Sequence, residues 1–189
     1  KEKIKNGYVI KREEAIEVYN SDYESLTAAA DELREYFCGN DFDVCTIINA
    51  KSGKCSENCK FCAQSAHYHT NVKEYDLLDE EIIVKDALDK YNRGIPRYSM
   101  VASGKGLTPK DIDKICSITK KIYEEAPDIK VCISGGIISE ESFEKLKEAG
   151  ITRIHNNLET SRNFFPEICT THTYDQKIDT IKAAQEAGM

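Results

Sequence analysis

The sequence lacks the features that mark several classes of protein. It contains no tryptophan, only four prolines among 189 residues, and no low-complexity segment. No apolar run approaches the roughly 18 residues that a membrane-spanning helix needs, and the start of the chain has neither the apolar stretch nor the cleavage site of a secretory signal. Lys and Arg form no long run and the formal net charge is −7, which argues against a nucleic-acid partner. These absences predict a cytoplasmic globular protein.

Cysteine, in contrast, is abundant, with eight residues. Thiols stay reduced in the cytoplasm, so metal binding or catalysis is favoured over a disulfide framework. Cys55, Cys59 and Cys62 lie together in the segment CSENCKFC. A disulfide needs thiols in pairs, and a structural zinc site needs four ligands. A [4Fe–4S] cluster held by three thiolates fits the odd number and leaves one iron open to a substrate.

Short β-branched segments alternate with longer amphipathic ones from about residue 44 onward. The predicted strands are 44–50, 97–103, 129–134 and 152–159. The predicted helices between them begin at recognisable start signals, which are Asp79, Thr108–Pro109, Ser139 and the capping box Thr173–Gln176. Strands and helices in this order predict parallel βα units.

Two domains are predicted on this basis. Residues 1–43 form a helical N-terminal lead-in, with helices over 12–18 and 25–37. Residues 44–189 form the first four βα units of a TIM-type (βα)8 barrel, truncated because a complete barrel takes about 250 residues. The cysteine segment follows the first strand and therefore lies on the active-site face of such a barrel.

The last predicted strand has an unusual polar face. In TRIHNNLE, period-two alternation places His155, Asn157 and Glu159 on one side. Polar side chains inside a barrel are costly unless a ligand or a buried polar network satisfies them. Both explanations stay open from the residues alone.

The cysteine motif CxxxCxxC, with Phe61 before its third cysteine, is similar to the signature of the radical S-adenosylmethionine enzymes. Longer segments narrow the match to the biotin synthase family: NAKSGKCSENCKFCAQSAHY, RYSMVASGKGL, KVCISGG and HNNLETSRNFFPEICTTHTY. The resemblance runs over essentially the whole chain. It corresponds to about the N-terminal half to two-thirds of that family's enzymes.

The resemblance implies a reaction and its cofactors. In that family a [4Fe–4S] cluster reductively cleaves S-adenosylmethionine into methionine and a 5′-deoxyadenosyl radical. The radical removes hydrogen atoms from C6 and C9 of dethiobiotin, and an auxiliary iron–sulfur cluster, [2Fe–2S] or a variant, donates the sulfur that closes the ring of biotin. A flavodoxin- or ferredoxin-type electron donor and a homodimeric full-length enzyme are also implied.

The same resemblance assigns the site residues. Cys55, Cys59 and Cys62 are implied to hold the catalytic cluster. The residues implied to contact S-adenosylmethionine are Phe61, Ala102, Asn157 and Glu159. His155 and Asn157 are implied to contact dethiobiotin, although His155 stands where the family often has asparagine.

The auxiliary cluster is where the sequence departs from the family pattern. Cys132 matches one of its ligands, but Ser99 occupies a position that is normally cysteine, and a hydroxyl is a poor substitute for thiolate on iron. Cys45 is predicted to face inward at a depth comparable to that of Ser99 and Cys132. It is therefore a candidate replacement ligand, with core packing as the alternative, and Arg97 is predicted to stabilise the charge of the cluster.

Two other functions stay open. The first is a relative with the same radical chemistry, a different small-molecule product and no sulfur-donating cluster, for which Ser99 is the support. The second is a zinc-binding module with His67 or His69 as the fourth ligand, for which the polar strand face has no use. The remaining cysteines and His172 carry no comparable signal and are predicted to be packing or loop residues: Cys38, Cys116 and Cys169.

Overall fold

The computed structural model describes residues 1–189, which form two compact units, 1–43 and 44–189. The first unit consists of three helices, α1 (Glu2–Lys5), α2 (Arg12–Tyr19) and α3 (Tyr23–Cys38). Helix α3 begins where the Asp22 carboxylate accepts a hydrogen bond from the Ser25 N–H, at 2.9 Å. Lys5 Nζ lies 2.7 Å from a carboxylate oxygen of Glu32, which joins α1 to α3.

The second unit is built on a parallel sheet of four strands in the order β1-β2-β3-β4. The strands are β1 (Cys45–Lys51), β2 (Arg97–Ala102), β3 (Lys130–Ser134) and β4 (Arg153–Ile154). The helices are α4 (Glu80–Asn92), α5 (Pro109–Glu125), α6 (Glu140–Glu148), α7 (Phe165–Ile168) and α8 (Tyr174–Glu186). Each strand pairs with its neighbour in sequence, as in a (βα) barrel, and the predicted α/β fold of parallel units is confirmed. No helix is long and apolar enough to cross a membrane.

Local start signals fix the helix ends as predicted. The Thr108 hydroxyl accepts from the Asp111 N–H and the Asp111 carboxylate accepts from the Thr108 N–H, both at 3.2 Å. Thr173 and Gln176 form the same reciprocal capping box at the start of α8. Each box satisfies backbone donors that a helix N-terminus leaves unpaired.

The hydrophobic core lies between the sheet and the helices. Tyr98 and Met100 of β2 are fully buried in it. Helix α5 adds an apolar stripe, as its periodicity predicts: Ile112, Ile115, Ile118 and Ile122. Each such isoleucine contributes about 1.5–3 kcal/mol by leaving water. Because side chains alternate along a strand, Ser99 and Val101 of β2 lie on the opposite face of the sheet.

Strand β4 is shorter than predicted. The prediction covered 152–159, but only Arg153 and Ile154 form strand, and the His155 N–H extends the pairing by one bond of 2.8 Å to the Ile133 carbonyl. The reason is the length of its partner, because β3 ends at Ser134 and the chain then turns away. Glu159 is not extended at all and has a φ of +66°.

Two glycines allow the loops after β2 and β3 to touch. Gly106 and Gly136 form an isolated antiparallel bridge. A Cβ added at Gly106 would lie 2.0 Å from the Ile137 carbonyl oxygen, and one at Gly136 would lie 2.4 Å from the Lys105 carbonyl oxygen. Gly136 also has a φ of +72°, which side chains rarely adopt. The main chains of these two loops therefore meet only because both positions lack a side chain.

We expect Gly106→Ala to destabilise the protein by roughly 1–3 kcal/mol, because the new methyl group must push a main-chain carbonyl aside. Gly135→Ala is the matched control. Its Cβ would meet the end of the Leu107 side chain at 2.8 Å, and that side chain can rotate away. The measurement is the urea midpoint of the two variants at an unchanged m-value. Equal losses in both would contradict a main-chain clash.

Candidate active site

A cavity of about 240 Å³ lies at the carboxyl ends of the parallel strands. This is the edge at which α/β proteins place their ligands. The strands contribute the wall residues Asn49, Val101, Ala102 and Ser134. Asn49, Val101 and Ser134 are paired across β1, β2 and β3, so they continue the face opposite the hydrophobic core, whereas Ala102 borders the cavity from the end of β2.

The three closely spaced cysteines line this cavity together. Cys55 is buried, whereas Cys59 and Cys62 are half-buried, and all three are free thiols. Backbone hydrogen bonds hold their loop in shape: the Cys55 N–H donates to the Gln64 carbonyl at 3.1 Å, and the Cys62 N–H donates to the Cys59 carbonyl at 3.0 Å. Three soft sulfur donors on one wall fit an iron–sulfur cluster with one open iron.

Of the other residues assigned to S-adenosylmethionine and dethiobiotin, some line the cavity and others lie outside its wall. Phe61, Ala102 and Glu159 line the same cavity as the cysteines. His155 and Asn157 are exposed and lie outside the cavity wall. The structure thus brings three of the five together around the cysteine loop.

The residues assigned to the auxiliary cluster lie lower on the same sheet face. Cys132 is fully buried, and its Sγ lies 3.8 Å from Nη1 of Arg97. Ser99 is paired in register with Cys132, and its buried hydroxyl has no hydrogen-bond partner. A polar atom without a partner in this position marks the point where the family pattern expects a metal ligand.

The predicted depth of Cys45 is wrong. In the parallel register Cys45 pairs with Arg97, and Ile47 is the residue of β1 that pairs with Ser99. Cys45 therefore lies on the predicted face of the sheet, but two residues nearer the amino end of the strands than the row that contains Ser99 and Cys132. The alternation of side chains along β1 predicts correctly which face of the sheet Cys45 occupies. Its position along the sheet depends on the pairing of β1 with β2, which the alternation does not contain.

The prediction that Cys169 and His172 have no role in a site is not supported by their position, because both line the cavity. Cys169 Sγ lies 3.6 Å from Cys59 Sγ and 3.3 Å from Nδ1 of His172. Nδ1 of His172 in turn lies 2.6 Å from a carboxylate oxygen of Glu57. The available signal was the segment HNNLETSRNFFPEICTTHTY, which contains both residues three positions apart. In contrast, Nε2 of His67 lies 3.0 Å from the Ser56 carbonyl oxygen.

Burial and hydrogen bonding shift the pKa values of two neighbouring thiols, Cys59 and Cys169, in opposite directions. Burial raises the pKa of the Cys59 thiol to about 12, and the hydrogen bond with Cys169 adds to the shift. Burial also opposes ionisation of Cys169, but hydrogen bonds from Thr171 and His172 outweigh it and lower the pKa of this thiol. Cys169 is therefore the first of the pair to lose its proton.

Two further ionisable residues of the wall respond to burial in different ways. Burial opposes the charge of Glu57, but hydrogen bonds from His172 and Thr171 lower its pKa, so it remains a carboxylate. Burial lowers the pKa of Lys177, partly offset by the charge of Glu159. The cavity thus presents an anionic group beside the cysteine loop and an amine held near Glu159.

One asparagine joins the cysteine loop to the segment before α8. The Asn58 side chain donates to the Thr170 hydroxyl at 2.7 Å and accepts from the Thr170 N–H at 2.9 Å. The Asn58 N–H also donates to the Thr171 hydroxyl at 3.1 Å. Next to it, the Lys60 N–H donates to the Ile168 carbonyl at 3.0 Å. These bonds join the cysteine loop to the segment that carries Cys169 and His172.

Comparisons with known proteins agree with this geometry. The chain is 54% identical over 189 residues to the biotin synthase of Brachyspira hyodysenteriae and 54% identical over 187 residues to that of Akkermansia muciniphila. These matches cover 100% and 99% of the chain, but only 56% and 58% of the relatives, so the chain spans little more than half of their length.

Solved structures share the fold at low sequence identity. A methylornithine synthase matches with a TM-score of 0.80 at 18% identity, covering 99% of this chain and 56% of that structure. The FeFe-hydrogenase maturase HydG from Carboxydothermus hydrogenoformans matches with a TM-score of 0.81 at 20% identity, covering 100% of this chain and 45% of that structure. Residues 50–189, which include the whole cysteine loop, match the family described as the Radical SAM superfamily. The chain belongs to the Radical SAM superfamily.

Proposed function

We propose that the protein is a biotin synthase, which inserts sulfur into dethiobiotin by radical S-adenosylmethionine chemistry. The observation that carries the proposal is the set of three free thiols on one cavity wall, in a chain about half identical to biotin synthases over its whole length. Because the chain spans 56–59% of those relatives, the activity is proposed for the complete protein.

Cys55, Cys59 and Cys62 would hold the [4Fe–4S] cluster at the cavity. When bound, the cluster supplies the electron that cleaves the sulfonium of S-adenosylmethionine and so releases the 5′-deoxyadenosyl radical that removes hydrogen from dethiobiotin. The remaining tasks of the chain are to bind, orient and exclude water. The wall around the cysteines shields the reacting groups from solvent, which would otherwise quench a radical.

The other wall residues have separate roles in this proposal. Phe61 and Ala102 supply apolar surface for the adenosyl group. Glu159 accepts hydrogen bonds from the ribose hydroxyls, and its φ of +66° turns the chain so that it borders the cavity. Asn157 and His155 are proposed to contact the cofactor and dethiobiotin from beyond the described wall.

The sulfur-donating cluster is proposed to use Cys132, with Arg97 beside its thiolate. Cys45 is proposed as a second ligand on the same sheet face. Two strand spacings of about 4.8 Å and two residues of about 3.3 Å put the Cα atoms of Cys45 and Cys132 about 12 Å apart. Both thiolates would hold the cluster from the same face of the sheet. The complete enzyme is also proposed to take electrons from a flavodoxin- or ferredoxin-type donor and to form a homodimer.

A second candidate function is favoured by Ser99. If no auxiliary cluster forms, the protein is a radical enzyme that converts a different small molecule without sulfur transfer. Iron and sulfide analysis of the anaerobically reconstituted full-length protein separates the two. About four irons per chain indicates one cluster, and distinctly more indicates an auxiliary cluster as well.

Replacing any one of Cys55, Cys59 or Cys62 with alanine should abolish cleavage of S-adenosylmethionine by the complete enzyme, because two thiolates cannot hold the cluster in a reactive state. The measurement is 5′-deoxyadenosine formation under reducing, anaerobic conditions. Cys116→Ala is the control, since this half-buried thiol of α5 donates to the Lys145 carbonyl and lies outside the cavity wall, and it should retain full cleavage. Undiminished 5′-deoxyadenosine from Cys59→Ala would refute the assignment.

Cys132→Ala should abolish biotin formation and lower the iron content, while 5′-deoxyadenosine still forms at the first cluster. Ser99→Ala is the matched control one strand away, and it should change neither quantity because its hydroxyl is not a ligand. Cys45→Ala should resemble Cys132→Ala. Full iron content and full sulfur insertion in Cys45→Ala would show that Cys45 is only a surface thiol.

A further inference from the structure

Two free thiols from distant segments are in contact at the wall of the cavity. Sγ of Cys59, in the loop after β1, lies 3.6 Å from Sγ of Cys169, in the loop between α7 and α8. Cys169 is 3% exposed and lines the cavity, yet it is a ligand of neither proposed cluster. A buried thiol beside a cluster ligand is therefore left without a role in the proposed function.

Hydrogen bonds on both sides hold the two cysteines opposite one another. On one side the Asn58 side chain accepts from the Thr170 N–H at 2.9 Å and donates to the Thr170 hydroxyl at 2.7 Å. On the other side the Lys60 N–H donates to the Ile168 carbonyl at 3.0 Å. Residue numbers rise along one segment as they fall along the other, so the two segments run antiparallel here and the cysteines lie between the two contacts.

This placement suits a disulfide bond. Directly opposite residues of antiparallel strands have Cα atoms about 4.5–5.5 Å apart, within the span of about 4.4–6.8 Å that a disulfide bridges. The bond itself is about 2.05 Å long, so the sulfurs of Cys59 and Cys169 must approach by about 1.5 Å. A change of side-chain torsion supplies a shift of this size while the hydrogen bonds of the main chain remain in place.

We propose that Cys59 and Cys169 form a reversible disulfide when the protein lacks its cluster, and that this bond prevents cluster assembly until it is reduced. The bond occupies the sulfur of Cys59, and two remaining thiolates do not hold a cluster that needs three. The disulfide stands on the geometry of the two sulfurs, whereas the block on assembly rests on the proposed function.

Hydrogen peroxide is the oxidant in this proposal, because it is small enough to reach sulfurs at the wall of a cavity of about 240 Å³. One thiol attacks the peroxide: an S–O bond forms, the O–O bond breaks, and the departing hydroxide leaves as water with the thiol proton. The second thiol then attacks the oxidised sulfur: an S–S bond forms, the S–O bond breaks, and a second water leaves. A small dithiol reverses the bond by exchange and is itself oxidised to a disulfide.

The test uses the complete protein, prepared anaerobically without its cluster and treated with one equivalent of hydrogen peroxide. Trypsin cuts after lysine and arginine, so Cys59 lies in the peptide 55–60 and Cys169 in the peptide 163–177. We expect mass spectrometry to find these peptides joined in the wild type and separated by dithiothreitol. Cys59→Ser and Cys169→Ser should each lose the link, whereas Cys62→Ser, the matched control in the same loop, should keep it.

The rate of cluster assembly is the second measurement. With ferrous iron and sulfide but no added thiol, the initial rate of iron uptake by the oxidised wild type should fall by about tenfold or more, since one of the three ligands is blocked. Dithiothreitol given before the iron should restore the rate of the protein that was never oxidised.

Three results would overturn the proposal. Cys169 remaining free while Cys59 is joined to Cys62 would refute the pair, and so would a link that persists in Cys59→Ser through Cys55. An unchanged rate of iron uptake by the disulfide form would refute the block on assembly. Failure of the proposed function is distinct from all three, because the reduced wild type would then take up no cluster whether or not the link forms.

Discussion

The cavity depends on the contact between the cysteine loop and the segment before α8, and Asn58 makes most of the hydrogen bonds of this contact through Thr170 and Thr171. These bonds join segments 112 residues apart in sequence, and Glu57 and Lys60 add further bonds across the same contact. Each bond contributes about 0.5–1.5 kcal/mol, which is small beside the entropy cost of ordering both loops. The sheet and helices bear most of that cost because they already hold the loop ends close together. A few bonds then suffice to fix the position of the cysteines.

The two faces of β2 have different roles, since one packs in the hydrophobic core and the other continues into the wall of the cavity. Tyr98 is fully buried on the core side, where its hydroxyl donates to Asp86 at 2.9 Å. Burial raises the pKa of Tyr98, and the hydrogen bond to Asp86 adds to this shift. Ser99, the next residue, lies on the other face without a partner. A slip of one residue in the pairing would exchange these two environments. The buried tyrosine therefore stabilises the register that presents the second face to the cavity.

The sequence was sufficient for features that depend on neighbours along the chain. The capping box at Thr108, the apolar stripe of α5 and the parallel order of the units follow from local patterns, and they are present as predicted. The level of Cys45 was not predictable in this way, because a strand's own alternation carries no information about its register with β2. The predicted length of β4 was wrong for a similar reason, since the length depends on where β3 ends.

The cavity shows the same division between local and distant information. The spacing of Cys55, Cys59 and Cys62 predicts that they act together because they share one loop. Nothing in the spacing of Cys169 and His172 indicates that they meet Cys59, since that contact exists only when the crossover after β4 folds back over the loop after β1. Motifs made by one segment can be read from the chain, whereas sites made by two segments need the fold.

The bridge between Gly106 and Gly136 has a consequence for how this protein can vary. A side chain at Gly135 would meet the end of Leu107, so a smaller residue at position 107 could relieve that clash. A side chain at Gly106 or Gly136 meets a carbonyl group of the main chain, which no substitution can shorten. A compensating pair of changes is therefore open to Gly135 and closed to the bridge. Related sequences can change positions 107 and 135 together, while the rim of the cavity must keep both bridge glycines or change its loops altogether.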